Sequence, residues 1–352
     1  MNFSRLLLSP FALLYGAGVA LRNLLYLQKI LHAVKFDLPV ISIGNLSVGG
    51  TGKTPFVEYL LQLLLSDFKV GTLSRGYGRS TQGFKWVEMN SSADFAGDEP
   101  LLFKFKFPWA AVAVGENRAL AIPEMLMTFP QLQTIILDDA FQHRGVIPGL
   151  SILLTSYSLP YTRDYLLPAG SLREWRSAAK RAHLLVVTKC PSELSGQQRE
   201  AMIHELKPLT NQRVFFSFLE YGPLYLLGNP ANHLLLNRVH EPLLVTGIAD
   251  EEPLKQYLLN NVARLEMMPF EDHHKYDGDD LERIKWKYDT MDKEKRILIT
   301  TEKDSMRLMP FAPWFLERNI HVYVQPVRMA LFPGDKTKLE TIVRNYIIKT
   351  PR

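Results

Sequence analysis

Short apolar runs, many of them rich in β-branched residues, alternate along this chain with stretches whose apolar residues recur at helical spacing. The runs predict buried strands at residues 39–43, 70–74, 109–114, 134–137, 150–154 and 184–188. Helical spacing over residues 55–65 and 117–127 predicts helices between them. Strands that alternate with helices form a parallel sheet covered on both faces, so we predict an α/β/α sandwich.

The pattern changes after residue 212. Alternating aromatic residues over 214–227, and a similar run over 321–327, are typical of an antiparallel ribbon. We predict that these segments pair as a two-stranded β connector to a second, smaller α/β domain, with strands at 243–247 and 296–300. The predicted units are an N-terminal apolar membrane-associating helix (1–35), a first domain (36–212), the connector (213–228 and 321–332), the smaller domain (229–320) and a C-terminal helix (333–352).

A glycine-rich segment that ends in Lys53 and Thr54 joins the first predicted strand to the first predicted helix. It matches the phosphate-binding loop G-x-x-x-x-G-K-[ST] except at Ser47, where the motif has glycine. The glycines let backbone N–H groups turn toward phosphate oxygens, the helix N-terminus and Lys53 add positive charge, and Thr54 can hold Mg²⁺. An ordinary glycine-rich turn is the alternative, but the flanking strand and helix favour a P-loop NTPase-like sandwich. The predicted nucleotide contacts are Ser47, Val48, Gly49, Gly50, Thr51, Gly52, Lys53 and Thr54.

Length and charge narrow the class of protein further. A chain of 352 residues is long enough for two domains, each with its own core. Lysine and arginine number 41 against 36 acidic residues, and the resulting charge of +5 suits a nucleotide, a phosphorylated substrate or an anionic membrane. The sequence has no cluster of basic and aromatic residues of the kind that binds nucleic acid, so we predict no nucleic-acid partner. Cys190 is the only cysteine, which excludes an intramolecular disulfide and favours a reducing compartment.

The N-terminal segment carries no charged residue between Arg5 and Arg22. It predicts an apolar helix that begins near Pro10, since proline suits a first helical position. A slightly short membrane span, a signal peptide and a buried core helix are alternatives. We favour a monotopic helix in the cytoplasmic leaflet, with apolar side chains at the acyl boundary and Arg5, Arg22, Lys29 and Lys35 at the lipid headgroups.

Two adjacent acids, Asp138 and Asp139, follow the predicted strand at 134–137. Carboxylates at that place can hold Mg²⁺ directly or through water. Ligands bind outside the carboxyl ends of parallel strands, which is where these acids fall. Adjacent acids also occur in ordinary loops, and such a loop is the alternative interpretation of this pair.

Two more acidic segments have a functional and an ordinary interpretation. Asp98 and Glu99 are either the start of a helix or a base and a metal ligand near the γ-phosphate. His273, in the second domain, lies among acids and is either a surface residue or a catalytic histidine oriented by a carboxylate. Arginines that follow apparent strands or sit in glycine- and proline-bounded loops suit phosphate groups, although solubility at the surface is the better explanation for any single one. These arginines are Arg75, Arg79, Arg118, Arg144 and Arg173.

Taken in order, these residues resemble the tetraacyldisaccharide 4'-kinases of lipid A biosynthesis. The resemblance covers nearly the whole chain and rests on residues 44–55, 74–79, 97–100, 138–144, 167–170, 172–174, 272–273 and 301–304. It implies ATP-dependent phosphorylation, with Mg²⁺, of the 4'-hydroxyl of a lipid disaccharide 1-phosphate. It also implies a peripheral or monotopic enzyme at the cytoplasmic face of the bacterial inner membrane, with no obligate protein partner.

The resemblance also assigns roles to particular residues. Asp98 becomes the base that accepts the hydroxyl proton, and His273 assists it. The metal ligands become Thr54, Asp138, Asp139 and Glu99. The substrate contacts become Arg75, Arg118 and Arg173.

A membrane-associated P-loop ATPase switch of the partitioning type is the alternative function. Those proteins place a signature lysine where this chain has Val48. A GTPase is favoured less, because the segment from Thr188 to Pro191 lacks the aspartate expected for guanine recognition.

Overall fold

The computed structural model describes residues 3–350, which form two sheets and the helices that cover them. The strands in chain order are β1 (Val40–Asn45), β2 (Val70–Ser74), β3 (Lys85–Trp86), β4 (Ala111–Val114), β5 (Thr134–Leu137), β6 (Leu150–Ser156), β7 (Leu184–Thr188), β8 (Arg213–Tyr221), β9 (Leu224–Leu226), β10 (Asn229–Leu234), β11 (Glu241–Thr246), β12 (Glu266–Pro269), β13 (Arg296–Thr301), β14 (Val322–Gln325) and β15 (Val327–Leu331). The α-helices are α1 (Phe3–Leu27), α2 (Lys53–Leu64), α3 (Ala93–Ala96), α4 (Asp98–Lys106), α5 (Arg118–Thr128), α6 (Gly196–Leu206), α7 (Glu252–Asn261), α8 (Gly278–Asp289), α9 (Glu302–Leu308), α10 (Ala312–Glu317) and α11 (Pro333–Lys349).

The larger sheet has the order β15-β8-β7-β6-β1-β5-β2-β4-β3. Its central strands pair in parallel, and only the outermost pairs, β15 with β8 and β3 with β4, are antiparallel. Because helices cover both faces, β1 and β5 are buried along their whole length, which is why they read as continuous apolar runs. β1 and β5 are neighbouring parallel strands, so the polar segments that follow their carboxyl ends meet at the same end of the sheet.

The smaller sheet has the order β10-β9-β14-β13-β11-β12. Its core strands β11, β12, β13 and β14 are parallel. Leu243, Val245 and Leu298 are fully buried beneath α8. The predicted α/β architecture, with a large sandwich and a second, smaller α/β unit, is confirmed.

The two aromatic segments predicted to pair do so, but they are divided between the sheets. β8 pairs with β15 at the edge of the larger sheet, and β9 pairs with β14 inside the smaller one. Between these halves the Gly222 N–H donates to the Pro326 carbonyl at 3.1 Å, and the Gln325 amide donates to the Gly222 carbonyl at 2.7 Å. The strands therefore connect the units as members of both sheets, and the bounds given above for the units stay a prediction.

The N-terminal helix differs from expectation in two respects. α1 begins at Phe3, so the predicted start near Pro10 was wrong. Pro10 removes one backbone donor, but the leucine- and alanine-rich sequence on both sides favours a helix strongly enough to continue through it. The alternative of a buried core helix was also wrong, because Leu7 and Leu14 are 66% and 72% exposed.

One side of α1 nevertheless docks on the large sandwich. The Trp175 indole N–H donates to the Gly16 carbonyl at 2.8 Å, and a Cβ atom at Gly16 would lie 2.5 Å from the Trp175 ring, so only glycine permits this approach. Further along the helix, Asn23 donates to Glu174 at 3.0 Å. The opposite, apolar side remains uncovered. Within residues 3–350, α1 is the helix whose length and composition would allow it to cross a membrane.

Candidate functional site

The glycine-rich segment leads from the end of β1 into α2, as a phosphate-binding loop does. Gly49 and Gly52 have φ angles of 105° and 78°, which side chains with a Cβ atom rarely adopt. Lys53, the first residue of α2, turns back over the loop, with Nζ 3.3 Å from Asn45 Oδ1 and 3.8 Å from Asp139 Oδ1. The loop thus points its lysine at the acids that follow β5.

A cavity of about 710 Å³ opens beside this loop. One wall consists of the loop and the segments that follow β2 and β5. The facing wall comes from the smaller unit and includes Asp250, Asp272, His273 and Lys303. A ligand held by the loop would therefore touch both units, which is the geometry of a cleft between domains.

The two acids after β5 have opposite electrostatic environments. Asp138 is buried and accepts a hydrogen bond from Ser74 Oγ at 3.1 Å. Burial, together with the negative charges of Glu99 and Asp139, raises the pKa of Asp138 to about 7. Asp139 forms a bidentate pair with Arg173, at 3.0 and 2.8 Å. Burial opposes ionisation of Asp139, but Lys53 and Arg173 lower its pKa to about 2.

The predicted metal ligands converge at this end of the cavity. Thr54 Oγ1 donates to Glu99 Oε1 at 3.1 Å, and Asp138 and Asp139 line the same cavity. Within residues 3–350 no three acidic, histidine or cysteine side chains form a ready-made metal cluster. Mg²⁺ needs only one or two carboxylates besides phosphate oxygens and water, so these residues fit that ion.

Asp98 and His273 lie 175 positions apart in the sequence and meet in the structure, with Oδ1 and Nδ1 3.1 Å apart. Asp98 is the first residue of α4 and follows Gly97, whose φ of 90° permits the turn into the helix. It is thus both a helix start and a member of the site. Arg307 donates to its other oxygen. Burial opposes its ionisation, but the His273 hydrogen bond and the charges of Lys303 and Arg307 hold the pKa of Asp98 well below its usual value.

The three arginines predicted to contact substrate all line the cavity but differ in their partners. Arg118 is buried and donates to the Asp138 carbonyl at 3.1 Å, so it supports the acidic turn. Arg173 holds Asp139 and also donates to the carbonyl of Asn45 at 3.2 Å. Arg75 lies on the cavity wall after β2. The role of these arginines in substrate binding stays a prediction.

Sequence reasoning assigned no role to several residues of this site. Asn45, at the end of β1, accepts hydrogen bonds from both Lys53 and Arg173. Lys303 and Arg307 extend from α9 to Glu99 and Asp98, respectively. Their signal was their place directly after strand β13 and their spacing of four residues, which puts both on one face of a helix.

A strand, a glycine loop and a helix, with two acids on the neighbouring strand end, define a P-loop nucleotide-binding protein. The model of one family, Tetraacyldisaccharide-1-P 4'-kinase, matches residues 4–348. A relative from Flavobacterium johnsoniae, named tetraacyldisaccharide 4'-kinase, is 44% identical over 308 residues, which is 88% of each chain. A relative of the same name from Phocaeicola vulgatus is 39% identical over 350 residues, 98% of this chain and 96% of that one.

A solved structure gives the same result. It is described as an "apo" form of LpxK from Aquifex aeolicus in complex with ATP, and it superposes with a TM-score of 0.74 at 31% identity. The match covers 98% of this chain and 100% of that chain. This chain belongs to the tetraacyldisaccharide-1-P 4'-kinase family, and the resemblance drawn from the sequence is confirmed.

Proposed function

We propose that this protein is an ATP-dependent kinase that phosphorylates the 4'-hydroxyl of a tetraacyldisaccharide 1-phosphate in lipid A biosynthesis. The observation that carries the proposal is the position of Asp98 and His273. His273 lines the cavity opposite the phosphate-binding loop, and Asp98, hydrogen-bonded to His273, lines a smaller pocket that adjoins the cavity there. An acceptor hydroxyl beside this pair would meet the end of a triphosphate held by the loop. Curated relatives that carry the kinase name, and a relative solved with ATP, support both the reaction and the nucleotide.

The loop residues 47–54 hold the triphosphate, and Lys53 neutralises charge on its terminal oxygens. Thr54, Asp138, Asp139 and Glu99 would hold Mg²⁺, which supplies further neutralisation of the phosphate oxygens. Transfer itself needs little covalent chemistry from the protein, so position and electrostatics carry most of the rate.

Asp98 is the proposed base. As the hydroxyl oxygen bonds to the γ-phosphorus, the bond to the β–γ bridging oxygen breaks, and the hydroxyl proton passes to the Asp98 carboxylate. The lowered pKa of Asp98 keeps that carboxylate ionised before transfer. His273, 3.1 Å away, shares the proton and orients the carboxylate. Because His273 comes from the smaller unit, the site is complete only when both units meet, and this arrangement excludes water as a competing acceptor.

We further propose that the protein lies at the cytoplasmic face of the bacterial inner membrane as a monotopic or peripheral enzyme. The uncovered apolar side of α1 would enter the acyl boundary. Arg22 supports this placement, because it lies in the C-terminal part of α1, lines the cavity and donates to the Gln142 carbonyl at 3.2 Å. A lipid substrate can therefore pass from the helix surface to the site, where Arg75, Arg118 and Arg173 meet its anionic groups.

The proposed division of the chain follows the cleft. Residues 36–212 form the kinase domain and residues 229–320 the smaller domain, with the strands of the connector between them. A P-loop ATPase switch of the partitioning type is not favoured, because Val48 replaces its signature lysine and the relatives are kinases.

The experiment is transfer of labelled γ-phosphate from ATP to a purified tetraacyldisaccharide 1-phosphate in mixed micelles. We expect label in the lipid, with the new phosphate on the 4'-oxygen by ³¹P–¹H correlation, and little ATP hydrolysis without lipid. ATP hydrolysis that ignores the lipid, with no labelled lipid, would instead support the switch.

A further inference from the structure

Lys303 is a cation of the smaller unit that faces the phosphate end of the cavity. It lies in the first turn of α9, and that turn is firmly anchored. Fully buried Asp304 accepts hydrogen bonds from Thr301 Oγ1 at 2.6 Å and from the Gly247 N–H at 3.1 Å. The Tyr276 hydroxyl donates to the same carboxylate at 3.2 Å. These bonds fix the backbone from which Lys303 extends, so its side chain is aimed from a rigid base.

The Lys303 ammonium reaches across the cleft to the P-loop side. Its Nζ lies 3.0 Å from Glu99 Oε1, and the same oxygen accepts the hydrogen bond of Thr54 Oγ1 at 3.1 Å. Two donors, one from each side of the cleft, thus hold one anionic oxygen at the end of the P-loop. This arrangement suits a phosphoryl oxygen as well as it suits a carboxylate oxygen.

Two of the other cations at this interface are each paired with two carboxylates, unlike Lys303. Arg307 is bound on two sides by Asp98 and Asp304. Lys106 is held between Glu58 and Glu302, at 2.6 and 2.9 Å. The charge of each of these two cations is therefore balanced by two carboxylates, and both cations join the units. Among the residues that the structure describes, Lys303 forms one ion pair, and its side chain lines the cavity.

We propose that Lys303 is a catalytic residue whose ammonium contacts the γ-phosphoryl group during its transfer, opposite Lys53. The inference rests on the proposed kinase function and deepens it. The oxygen–phosphorus bond to the sugar forms, the bond to the β–γ bridging oxygen breaks, the hydroxyl proton goes to Asp98, and Lys303 keeps all its protons. An arginine supplied from a second element to the phosphoryl-transfer transition state of P-loop GTPases is worth roughly 10³–10⁵-fold in kcat, and a lysine in that position would act through the same charge.

The first test compares Lys303→Met with Lys275→Met. Lys275 is a matched control, because it also joins the two units, through a pair with Asp94 at 2.6 Å, but both side chains of that pair are largely exposed. For Lys303→Met we expect kcat to fall about 10³-fold. Its ATP affinity, measured calorimetrically with Mg²⁺ and without lipid, should fall about tenfold while ADP affinity stays within about twofold. Lys275→Met should keep wild-type values.

Equal weakening of ATP and ADP binding by Lys303→Met, or a loss of kcat below tenfold, would overturn the proposal. The ATP-to-ADP comparison decides the role of Lys303 even if wild-type protein fails to phosphorylate the lipid, an outcome that would overturn only the proposed function.

A second measurement uses the wild-type protein and does not depend on the folding of a variant. Reductive methylation of lysines, read by mass spectrometry, is compared in the presence of ADP and of a non-hydrolysable ATP analogue. We expect the analogue to slow methylation of Lys303 at least threefold relative to ADP, with Lys275 labelled equally in both. Equal labelling of Lys303 with the two nucleotides, or equal protection of both lysines, would contradict a direct contact with the γ-phosphate.

Discussion

Replacing Asp138 with asparagine should stabilise the nucleotide-free protein while removing its activity. Asp138 is buried, and the charges of Glu99 and Asp139 add to the cost of ionising it. Asparagine has nearly the same shape, can still accept the hydrogen bond of Ser74 Oγ and carries no charge. The variant therefore removes a charge that opposes folding and leaves the packing of the site unchanged.

The magnitude follows from linkage. The pKa of Asp138 is about 7 in the folded protein, against 3.8 as the ordinary value. Between these values the folded state binds more protons than the unfolded state, so stability falls as the pH rises through this window. From pH 5 to pH 8 the wild type should lose about 2–3 kcal/mol of unfolding free energy through this group. Asp138→Asn has no carboxyl group at this position and does not undergo that loss. The difference in unfolding free energy between the variant and the wild type should therefore grow by the same amount from pH 5 to pH 8.

Asp139→Asn is the matched control with the opposite sign. Lys53 and Arg173 lower the pKa of Asp139 to about 2, so its charge contributes stability at every pH above its ordinary value. Because 34% of its side chain is exposed, solvent screening reduces that contribution, and we expect Asp139→Asn to lose about 1 kcal/mol at both pH 5 and pH 8.

The assay is urea unfolding of the wild type and both variants at pH 5 and pH 8, with chelator present. Addition of Mg²⁺ and ADP at pH 8 should then stabilise the wild type more than Asp138→Asn. An advantage of Asp138→Asn that stays constant between pH 5 and pH 8 would refute the reasoning from buried, crowded carboxylates.

Two further predictions concern the base and the membrane helix. Asp98→Ala should lower kcat by about 10²–10⁴-fold with ATP affinity little changed, and His273→Ala should act in the same direction. If the double variant loses the full product of the single losses, the two residues act independently and the pairing is refuted. Deletion of the residues before Leu27 should weaken liposome co-sedimentation, since apolar contact is worth about 25 cal/mol per Å². A truncated protein that melts normally and still pellets fully with liposomes would show that the membrane contact lies elsewhere.

The central strands could be predicted from the sequence because burial on both faces leaves an unbroken apolar run. β1, β2, β5 and β7 lie within a residue or two of their predicted positions for that reason. The short edge strand β3 and the exposed strand β10 carry no such run, and both were missed. The start of α1 was misplaced because proline marks a first turn only when the residues before it are poor helix formers, and here they are not.

The sequence predicts those parts of the site whose residues lie close together in one sequence motif. The P-loop and the acids after β5 have their own signatures, and both fall at one sheet edge because β1 and β5 are neighbours. The contact of Asp98 with His273 crosses from one unit to the other, and no local pattern encodes it. Lys303 was quoted in the resemblance without a role, since its partner Glu99 is likewise set by how the two units meet.

The most direct measurement of the central claim is single-turnover transfer of labelled γ-phosphate to the tetraacyldisaccharide 1-phosphate by wild-type protein and Lys53→Ala. Lys53 of the P-loop lies 3.8 Å from Asp139 and supplies charge to an anionic transition state. We predict labelled lipid with the wild type and no measurable transfer by Lys53→Ala at an unchanged melting temperature. Near-wild-type transfer by folded Lys53→Ala, or no labelled lipid with the wild type, would contradict the account.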